Sequence, residues 1–200
     1  LGVNKGKKIG MLMLEENKKR TAKGLMSIHA GKRLYLEKSV LKYKQIFDEV
    51  LGCGNFVLYD HFGSVEGDNL MDTIRYLAVA EECDFIILDH ISIAVSGLEG
   101  NDERRIIDKL MTQLRSLVEE TGVGMIVISH LRKTENSSKA KSYEEGGMIS
   151  LDDLRGSGTL KQIPDTVIAL ERNQQAEGRI KNLVKVRLLK CRFTGETGLA

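Results

Sequence analysis

The sequence is poor in the features that mark several classes of protein. Its three cysteines are widely spaced and form no CxxC pair, which argues against a disulfide framework and against a zinc site. No apolar run approaches the roughly 20 residues that a membrane-spanning helix requires, and the first residues do not form a signal peptide. The formal net charge is only +2, so affinity for nucleic acid would have to come from local basic patches. These absences indicate a protein of the reducing cytosol that is not bound to a membrane.

Strand-like and helix-like segments alternate along the chain, which is the order that right-handed parallel crossovers produce. With 42% apolar residues, the 200 residues can form one sizeable α/β domain. The polar segment 132–147 has no periodicity and is expected to be a loop. Apolar periodicity predicts helices at about residues 17–29, 33–51, 70–78 and 101–122, the last with an N-cap at Asn101 and a stop at Gly122. The predicted strands cover residues 9–14, 56–60, 85–89, 125–129, 166–170 and 183–191.

Three of the predicted strands are continuously apolar and end on polar side chains. The polar residues at their ends are Glu15, Asp89 and His130. Continuous apolar runs are typical of strands buried on both faces of a parallel sheet, and open α/β sheets bind ligands at the carboxyl ends of such strands. Provided that the strands are parallel, the three side chains share one edge and offer a base, a metal ligand and a hydrogen-bond donor to a phosphate. The alternative is that Asp89 only caps the next turn and that His130 is a structural histidine.

The strand that ends at Asp89 is typical of nucleotide hydrolases with a P-loop, in which such an Asp holds the magnesium ion that bridges the β- and γ-phosphates. These enzymes also require a GxxxxGK[ST] loop to bind the phosphates, and this sequence contains none. Gly6-Lys7-Lys8 is similar only superficially, because it lacks the upstream strand and the following Ser or Thr. Since the rest of the pattern is complete, we expect the chain, which begins with Leu1, to be a piece of a longer product.

Six sequence blocks extend this pattern over nearly the whole chain: MLMLEEN, CDFIILDHISIAVS, DERRIIDKLMTQLR, ISHLRK, LRGSGTLKQIPDTVIALERNQQ and VRLLKCRFTGETG. In these blocks the chain closely resembles the helicase half of the primase-helicases of T-seven-like phages. It is similar, more loosely, to bacterial DnaB-type replicative helicases and to the mitochondrial helicase Twinkle. The resemblance implies an α/β fold with a RecA-like P-loop NTPase core and a mostly parallel sheet, truncated at the amino end. It also implies that residues 1–200 are part of one motor domain, without the P-loop strand, the primase region and the carboxyl-terminal end.

The resemblance also implies roles for the polar strand ends. Glu15 corresponds to the general base that orients the attacking water, Asp89 to a direct or indirect Mg²⁺ ligand, and His130 to the sensor of the γ-phosphate. A carboxylate beside a phosphate site suits the first role, because positioning and electrostatics supply most of phosphoryl-transfer catalysis. The alternative for such a carboxylate is a favourable place before a helix N-terminus, which suits Glu16 better. His90 is expected to be structural.

Four basic residues correspond to nucleotide contacts in the resemblance. Lys190 and Arg192 lie two apart on the last predicted strand, so their side chains share a face. They resemble a Lys-x-Arg pair that reaches across a subunit boundary, with Arg192 as the arginine finger, a role that suits a planar guanidinium better than a lysine. Arg172 resembles a residue near the nucleotide base, and Arg33 resembles one near the neighbouring nucleotide. Two solvated charges on an edge strand are the alternative for the Lys-x-Arg pair.

The predicted DNA contacts follow the strand that ends at His130. Binding of single-stranded DNA irrespective of sequence needs positive charge along the phosphates, together with backbone N–H groups. The expected contacts are Arg132, Lys133, Lys139, Lys141, Arg155, Gly156, Ser157 and Gly158. Tyr143 is the only aromatic side chain in the loop, so we expect contacts mostly with the DNA backbone. A solvated run of charges is the alternative.

Together these features predict the motor of a phage replicative helicase, which hydrolyses ATP or dTTP with Mg²⁺ and translocates along single-stranded DNA. We expect a homo-oligomeric ring, a hexamer, in the cytoplasm of a bacterial host cell, with a DNA polymerase as a further partner in the parent system. One alternative is a non-catalytic fragment that folds, self-associates or binds DNA without turnover. A recombinase of the same fold is a lesser alternative, because the LRGSG and KCRFTG blocks look like those of replicative helicases.

Overall fold

A computed structural model of the chain describes residues 1–36, 40–60, 67–95, 103–132, 141–156 and 158–199. The chain divides into two compact units, an N-terminal unit Leu1–Ser129 and a C-terminal unit His130–Ala200. The elements of the N-terminal unit are α1 (Gly2–Lys5), β1 (Ile9–Met13), α2 (Lys18–Ala30), a 3₁₀ turn (Leu34–Leu36), α3 (Val40–Val50), β2 (Phe56–Leu58), α4 (Gly67–Val79), β3 (Phe85–Asp89), α5 (Ile91–Val95), α6 (Glu103–Thr121) and β4 (Gly124–Val127). Those of the C-terminal unit are a 3₁₀ turn (Leu151–Asp153), α7 (Thr159–Gln162), β5 (Thr166–Glu171), a 3₁₀ turn (Ile180–Asn182), β6 (Lys185–Cys191) and β7 (Gly198–Leu199).

The N-terminal unit is built on a four-stranded parallel sheet in the order β2-β1-β3-β4. The central strands β1 and β3 carry the apolar runs, and Leu12, Ile86 and Leu88 are completely buried. Helix α4 contacts both β3 and α6. Strands in the middle of a parallel sheet are covered by helices, which explains why their sequences are continuously apolar rather than alternating. The predicted parallel sheet is therefore confirmed in this unit.

Helix α6 packs one apolar stripe into the core. Its buried residues recur at helical spacing, are at most 4% exposed, and are Ile107, Leu110, Met111, Leu114 and Leu117. Gly122 follows the helix with a φ of 71°, a conformation that a residue without a Cβ adopts at low cost. The stripe and the stop were both predicted, whereas the predicted N-cap Asn101 lies outside the described residues. No described helix, α6 included, is long and apolar enough to span a membrane.

Helix α2 begins where the sequence predicts it. The Asn17 side chain accepts a hydrogen bond from the Arg20 N–H at 3.1 Å, which satisfies one of the free N–H groups of the first turn. The helical stretch predicted over residues 33–51 is a 3₁₀ turn and then α3, and residues 37–39 lie outside the described residues. A second buried cluster joins α2, the 3₁₀ turn and α3, and its members are Met26, Leu34, Ile46 and Val50.

Strand β4 differs from its prediction. It spans Gly124–Val127, and it is not buried on both faces, since Ile126 is 47% exposed and Ile128 is 38% exposed. Among the described residues β4 pairs with β3 alone, so it is an edge strand of the sheet. The prediction of a fully buried strand is therefore wrong here. An apolar run shows that a strand is suited to burial, but it does not show which neighbours cover it.

The C-terminal unit holds a second sheet, which is antiparallel and has the order β5-β6-β7. In β5, Val167, Ala169 and Glu171 are buried and the residues between them are exposed. This period of two is typical of a strand with one covered face. The predicted parallel arrangement thus applies to the first sheet only, because alternation predicts a strand without specifying the direction of its neighbour.

Residues 141–147 belong to the segment predicted as a loop and form a hydrogen-bonded turn. The N–H groups of Glu145 and Gly147 donate to the Ser142 carbonyl at 3.0 and 2.9 Å. Gly147 passes so close to the Lys141 carbonyl that a Cβ would not fit at this position. Residues 133–140 of the same segment lie outside the described residues.

Candidate functional site

The carboxyl ends of β1 and β3 lie side by side at one edge of the parallel sheet. The register pairs Met13 with Asp89, and the Leu14 N–H donates to the Asp89 carbonyl at 2.7 Å. The first strand then continues to Glu15 in a turn, and the second continues to His90 through a cis peptide bond. Glu15 and Asp89 therefore leave the sheet at the same edge, as the sequence predicts for parallel strands.

A hydrogen bond connects these two strand ends. His90 Nε2 lies 2.8 Å from Glu15 Oε1. The His90 side chain is only 6% exposed, whereas the Glu15 side chain is 45% exposed. An ionised carboxylate can only accept hydrogen bonds, so Nε2 is the ring nitrogen that carries the hydrogen. The sequence analysis did not predict this contact, because no linear pattern shows which way a side chain turns after a strand has ended.

The neighbouring carboxylate, Glu16, has other partners. Its Oε1 accepts a hydrogen bond from Thr21 Oγ1 at 2.9 Å, and its Oε2 lies 3.1 Å from Arg20 Nε. Both partners are at the beginning of α2, so Glu16 is engaged at the start of a helix, which is the position that the sequence favours for it. Of the two adjacent carboxylates, Glu15 is the one that reaches the end of β3.

His130 is the first residue of the C-terminal unit and begins a short antiparallel pairing. Its carbonyl accepts a hydrogen bond from the Arg155 N–H at 2.9 Å. Two residues later, the Arg132 N–H donates to the Asp153 carbonyl at 2.8 Å, and Arg132 Nε donates to the Leu154 carbonyl at 3.0 Å. The pairing brings the predicted phosphate sensor together with two of the predicted DNA-binding arginines.

The other predicted DNA contacts are described only in part. Lys141 and Arg155 are exposed. Gly156 has a φ of 117°, which favours glycine, and Gly158 precedes α7 as its N-cap. The predicted contacts that lie outside the described residues are Lys133, Lys139 and Ser157. The described part is thus a pair of exposed cations and a glycine turn.

Tyr143, the aromatic residue of the predicted loop, is engaged within the C-terminal unit. Burial, together with a hydrogen bond to Asp153, raises the pKa of Tyr143 to about 12. The Asp153 carboxylate also accepts hydrogen bonds from the N–H and the hydroxyl of Ser150, at 2.7 and 2.8 Å. Burial alone would raise the pKa of Asp153, but the hydrogen bonds from Tyr143 and Ser150 lower it below its ordinary value. Tyr143 therefore supports the turn instead of offering a free stacking surface.

Lys190 and Arg192 both bind carbonyls at the end of α7. Lys190 Nζ donates to the carbonyls of Lys161 and Gln162, at 2.7 and 2.8 Å. Arg192 Nη2 donates to the Gln162 carbonyl at 2.7 Å, and Arg192 Nη1 lies 3.0 Å from the Asp165 carboxylate. The last carbonyls of a helix lack partners within it, so cations are favourable there. Burial and the charge of Arg192 lower the pKa of Lys190. The predicted shared face is confirmed, and its contacts are within the chain.

A buried ion pair that the sequence analysis did not identify joins β5 to β6. The Glu171 side chain is 2% exposed, and it accepts hydrogen bonds from Arg187 Nε at 2.6 Å and Nη2 at 3.2 Å. Glu171 Oε1 also accepts the Ile149 N–H at 2.9 Å. The Arg187 guanidinium above all lowers the pKa of Glu171. The available signal was the alternation of Val167, Ala169 and Glu171, which places the carboxylate on the covered face.

Arg33 and Arg172, the remaining predicted nucleotide contacts, are both exposed. Arg33 lies between α2 and the first 3₁₀ turn in the N-terminal unit, and Arg172 directly follows β5 in the C-terminal unit. Their roles, like those of the other site residues, stay predictions.

Comparison with known proteins gives the family. Residues 5–199 match the family described as the DnaB-like helicase C terminal domain. The chain is 47% identical over its whole length to the "DNA helicase/primase" of Enterobacteria phage T3. It is 24% identical over 86% of its length to the "Probable plasmid replicative DNA helicase" of Chlamydia psittaci. The chain spans 36% of the length of the phage protein and 37% of the chlamydial protein.

Solved structures give the fold. An isolated ATPase domain matches with a TM-score of 0.75 at 20% identity, over 99% of this chain and 71% of that one. A DnaB-like replicative helicase, studied with its interactions with primase, matches with a TM-score of 0.74 at 19% identity, over 99% of this chain and 48% of the other. The fold is accordingly the predicted α/β fold of RecA-like ATPase domains. Since the family match extends over almost all of its residues, the chain belongs to the family of DnaB-like helicase C-terminal domains.

Proposed function

We propose that the chain is the motor part of a phage replicative DNA helicase, which couples the hydrolysis of ATP or dTTP to movement along single-stranded DNA. Family membership supports a nucleotide-dependent helicase, and the 47% identity to a phage helicase/primase favours the phage type. The 200 residues contain no GxxxxGK[ST] loop, so the proposal requires the phosphate-binding loop to lie on a segment outside them. A hexameric ring, a DNA polymerase partner and the host cytoplasm complete the proposal.

The observation that carries the proposal is the placement of Glu15. It lies at the carboxyl edge of the parallel sheet beside Asp89, with one oxygen held by His90 and nearly half of its side chain exposed. A carboxylate that is held by one oxygen can use the other to orient a water molecule and to accept its proton. We therefore assign the general-base role to Glu15.

Asp89 fits the role of a magnesium ligand. In nucleotide sites Mg²⁺ takes one or two carboxylates together with phosphate oxygens and water, and Asp89 offers such a carboxylate at the sheet edge. Its carbonyl is bound by the Leu14 N–H, which keeps the ends of β1 and β3 together. When bound, the ion neutralises charge that develops on the β- and γ-phosphates. Glu15 and Asp89 then divide the work between water and metal.

His130 and the paired segments after it support coupling to DNA. In the proposal, His130 donates to the γ-phosphate, and loss of that interaction moves the residues that follow. The hydrogen bonds that tie His130 to Arg155 and Arg132 to Asp153 give such a movement a short path to the DNA-binding cations. The DNA path consists of the predicted contacts Arg132, Lys133, Lys139, Lys141, Arg155, Gly156, Ser157 and Gly158.

Lys190 and Arg192 are proposed to act on the nucleotide of a neighbouring subunit, with Arg192 as the finger. Within this chain, Arg192 is bound to the Gln162 carbonyl and to Asp165. A guanidinium has five N–H donors, so Arg192 can keep part of these contacts while it donates to a phosphate. Arg33 and Arg172 are proposed as further nucleotide contacts.

Replacement of Glu15 by Gln in the full-length protein tests the proposal. Gln keeps the size of the side chain but cannot accept a proton, so hydrolysis is expected to fall by ~10²-fold or more while nucleotide binding is retained. The matched control is Glu16→Gln, because Glu16 is bound by Thr21 and Arg20 at the start of α2. That variant is expected to hydrolyse nucleotide near the wild-type rate. Steady-state turnover and equilibrium nucleotide binding are the measurements, and unchanged turnover in Glu15→Gln contradicts the assignment.

A second candidate function, a non-catalytic module that self-associates, is favoured by the edge of β4. Ile126 and Ile128 are exposed on this edge strand, and open apolar strand edges pair with other chains. Under this alternative, the full-length protein binds DNA or itself without turning over nucleotide. Single-stranded-DNA-stimulated hydrolysis by the unaltered full-length protein excludes it, and self-association in sedimentation without any hydrolysis supports it.

A further inference from the structure

The contact between His90 and Glu15 joins a fixed side chain to an adaptable one. His90 is almost completely buried directly after β3, whereas Glu15 lies in an exposed turn after β1. A glutamate has three rotatable side-chain bonds, and each exposed rotamer that is frozen costs conformational entropy. The 2.8 Å contact is therefore one in which the imidazole determines where the carboxylate lies.

Backbone hydrogen bonds on both sides hold His90 in place. The Asp89 carbonyl is bound by the Leu14 N–H at 2.7 Å, and the Ile91 N–H donates to the Ile128 carbonyl at 3.0 Å. The His90 carbonyl itself accepts the Ile93 N–H at 3.2 Å, at the beginning of α5. The residue is thus fixed to β1, to the segment after β4 and to α5.

The direction of the hydrogen bond matters for a base. Because Nε2 donates to Oε1, it occupies one carboxylate oxygen and leaves Oε2 for a water molecule. Glu16, the adjacent carboxylate, has partners for both oxygens on α2 and is not directed to the strand ends. Without the His90 donor, the exposed Glu15 would sample rotamers that point away from the nucleotide edge.

We propose that His90 is a positioning residue for hydrolysis, which holds Glu15 by one oxygen so that the other faces the attacking water. The inference rests on the proposed function, since it takes Glu15 as the general base. A misplacement of about 1 Å in a catalytic group can cost roughly 10²-fold in rate. His90 is expected to affect kcat and to leave the KM for nucleotide nearly unchanged, because it orients Glu15 without contributing to nucleotide binding.

The test compares His90→Gln with His90→Met in the full-length protein. Both side chains are unbranched and of similar length, but only Gln has an N–H donor that can take the place of Nε2. We expect His90→Met to lower kcat by ~10- to 10²-fold and His90→Gln to recover much of that loss, with similar melting temperatures and similar KM. Equal kcat in the two variants overturns the proposal, whether both are active or both are impaired.

A double-substitution cycle separates this inference from the function on which it rests. In a Glu15→Gln background, His90→Met is expected to cause no further loss of hydrolysis, because there is no base left to position. Full additivity of the two losses overturns the positioning role of His90 while the role of Glu15 stands. If Glu15→Gln alone leaves turnover unchanged, the proposed function itself fails.

Discussion

In the N-terminal unit the candidate base is half exposed and is held by one hydrogen bond from His90, whereas in the C-terminal unit the candidate finger is bound on two sides within its own chain. Glu15 has an oxygen available for a ligand in the arrangement that the structure shows. Arg192 has to exchange a helix carbonyl or the Asp165 carboxylate before it can reach a phosphate. The first arrangement is suited to catalysis as it stands, and the second is suited to an interaction that is made and broken.

The two sheets produce this difference. In a parallel sheet, strand ends meet at one edge, so residues that follow the strands face a ligand rather than the protein interior. In the antiparallel sheet of the C-terminal unit, Lys190 lies on the covered face of β6 with Glu171 and Arg187 nearby along the strands. Side chains on a covered face have protein partners by construction, and for them a functional role competes with a structural one.

The largest expected effect comes from Arg192→Ala. An arginine finger accounts for about 10³- to 10⁵-fold of turnover, whereas removal of a partly exposed structural ion pair would mainly alter stability. We expect nucleotide hydrolysis by the full-length protein to fall at least ~10³-fold while the melting temperature changes little. Mixing these subunits with Glu15→Gln subunits should restore part of the activity, because some interfaces then pair an intact base with an intact finger.

Asp165→Asn is the control for a purely structural role of Arg192. The Arg192–Asp165 pair is partly exposed, at 46% and 29% of the two side chains, so its removal is expected to have a small effect on stability. Turnover of Asp165→Asn should stay near the wild-type value. If it falls as far as that of Arg192→Ala, and mixed subunits never recover, the contrast between the two units disappears.

A smaller effect is expected from Glu171→Gln, which tests the structural side of the comparison. Gln would place an NH₂ group against the donors of Arg187 or leave the Ile149 N–H without its acceptor. Loss of charged hydrogen bonds at the buried Glu171 should lower the free energy of unfolding by about 1.5 to 3 kcal/mol. The matched control is Glu120→Gln, since Glu120 pairs with Arg75 where both side chains are half exposed, and its expected effect is below about 1 kcal/mol.

The same variant makes a pH prediction. The pKa of Glu171 is held below its ordinary value of 4.5, chiefly by Arg187, so the folded state favours the ionised carboxylate. The stabilisation is therefore present above pH 4.5 and is lost as the pH falls through the lower, folded pKa. Urea unfolding followed from neutral pH to well below that value should show a shallower acid decline for Glu171→Gln than for the unaltered protein. Parallel acid declines would show that the ion pair contributes no pH dependence.

Local patterns predicted much of the fold. The N-cap Asn17, the stop at Gly122 and the buried stripe of α6 each depend on residues within a few positions of one another, and all three are confirmed. The short helix α5 was missed, because Ile91 to Val95 continues the apolar character of β3 and gives no change of period. The exposure of β4 was missed because burial depends on neighbours that the strand's own sequence does not name.

The candidate site was predictable in its strand ends but not in its contacts. Glu15 and Asp89 were placed at one edge because parallel register follows from the apolar runs. The partners of Glu15 and Lys190 lie 75 and 29 residues away in sequence, at His90 and Lys161, and no periodicity connects such positions. Resemblance to a family suggests roles, but it does not show that Lys190 and Arg192 also bind the end of α7.

The smallest effect is expected in the predicted DNA-binding segment, where the comparison can be drawn within one set of cations. Lys141 is exposed, whereas Arg132 donates to the Leu154 carbonyl and is tied to Asp153 through its backbone. A cation that already has a protein partner releases fewer counterions from DNA, so Lys141→Gln should reduce the salt dependence of binding more than Arg132→Gln does. The control is Lys181→Gln, at an exposed cation on another turn of the C-terminal unit.

Neutralising Arg132, Lys133, Lys139 and Lys141 together should weaken binding of single-stranded DNA and flatten its dependence on salt by about 0.7 in slope for each phosphate that is no longer neutralised. Hydrolysis measured without DNA should continue, because none of these residues belongs to the proposed base or metal site. Fluorescence titration of labelled oligonucleotides at several salt concentrations gives the slope directly. An unchanged affinity and slope would mean that this segment is a solvated surface, and the DNA path would then have to be sought among other exposed cations. A reduced slope together with abolished DNA-independent hydrolysis would instead place one of the four at the nucleotide, since DNA binding alone cannot alter a reaction measured without DNA.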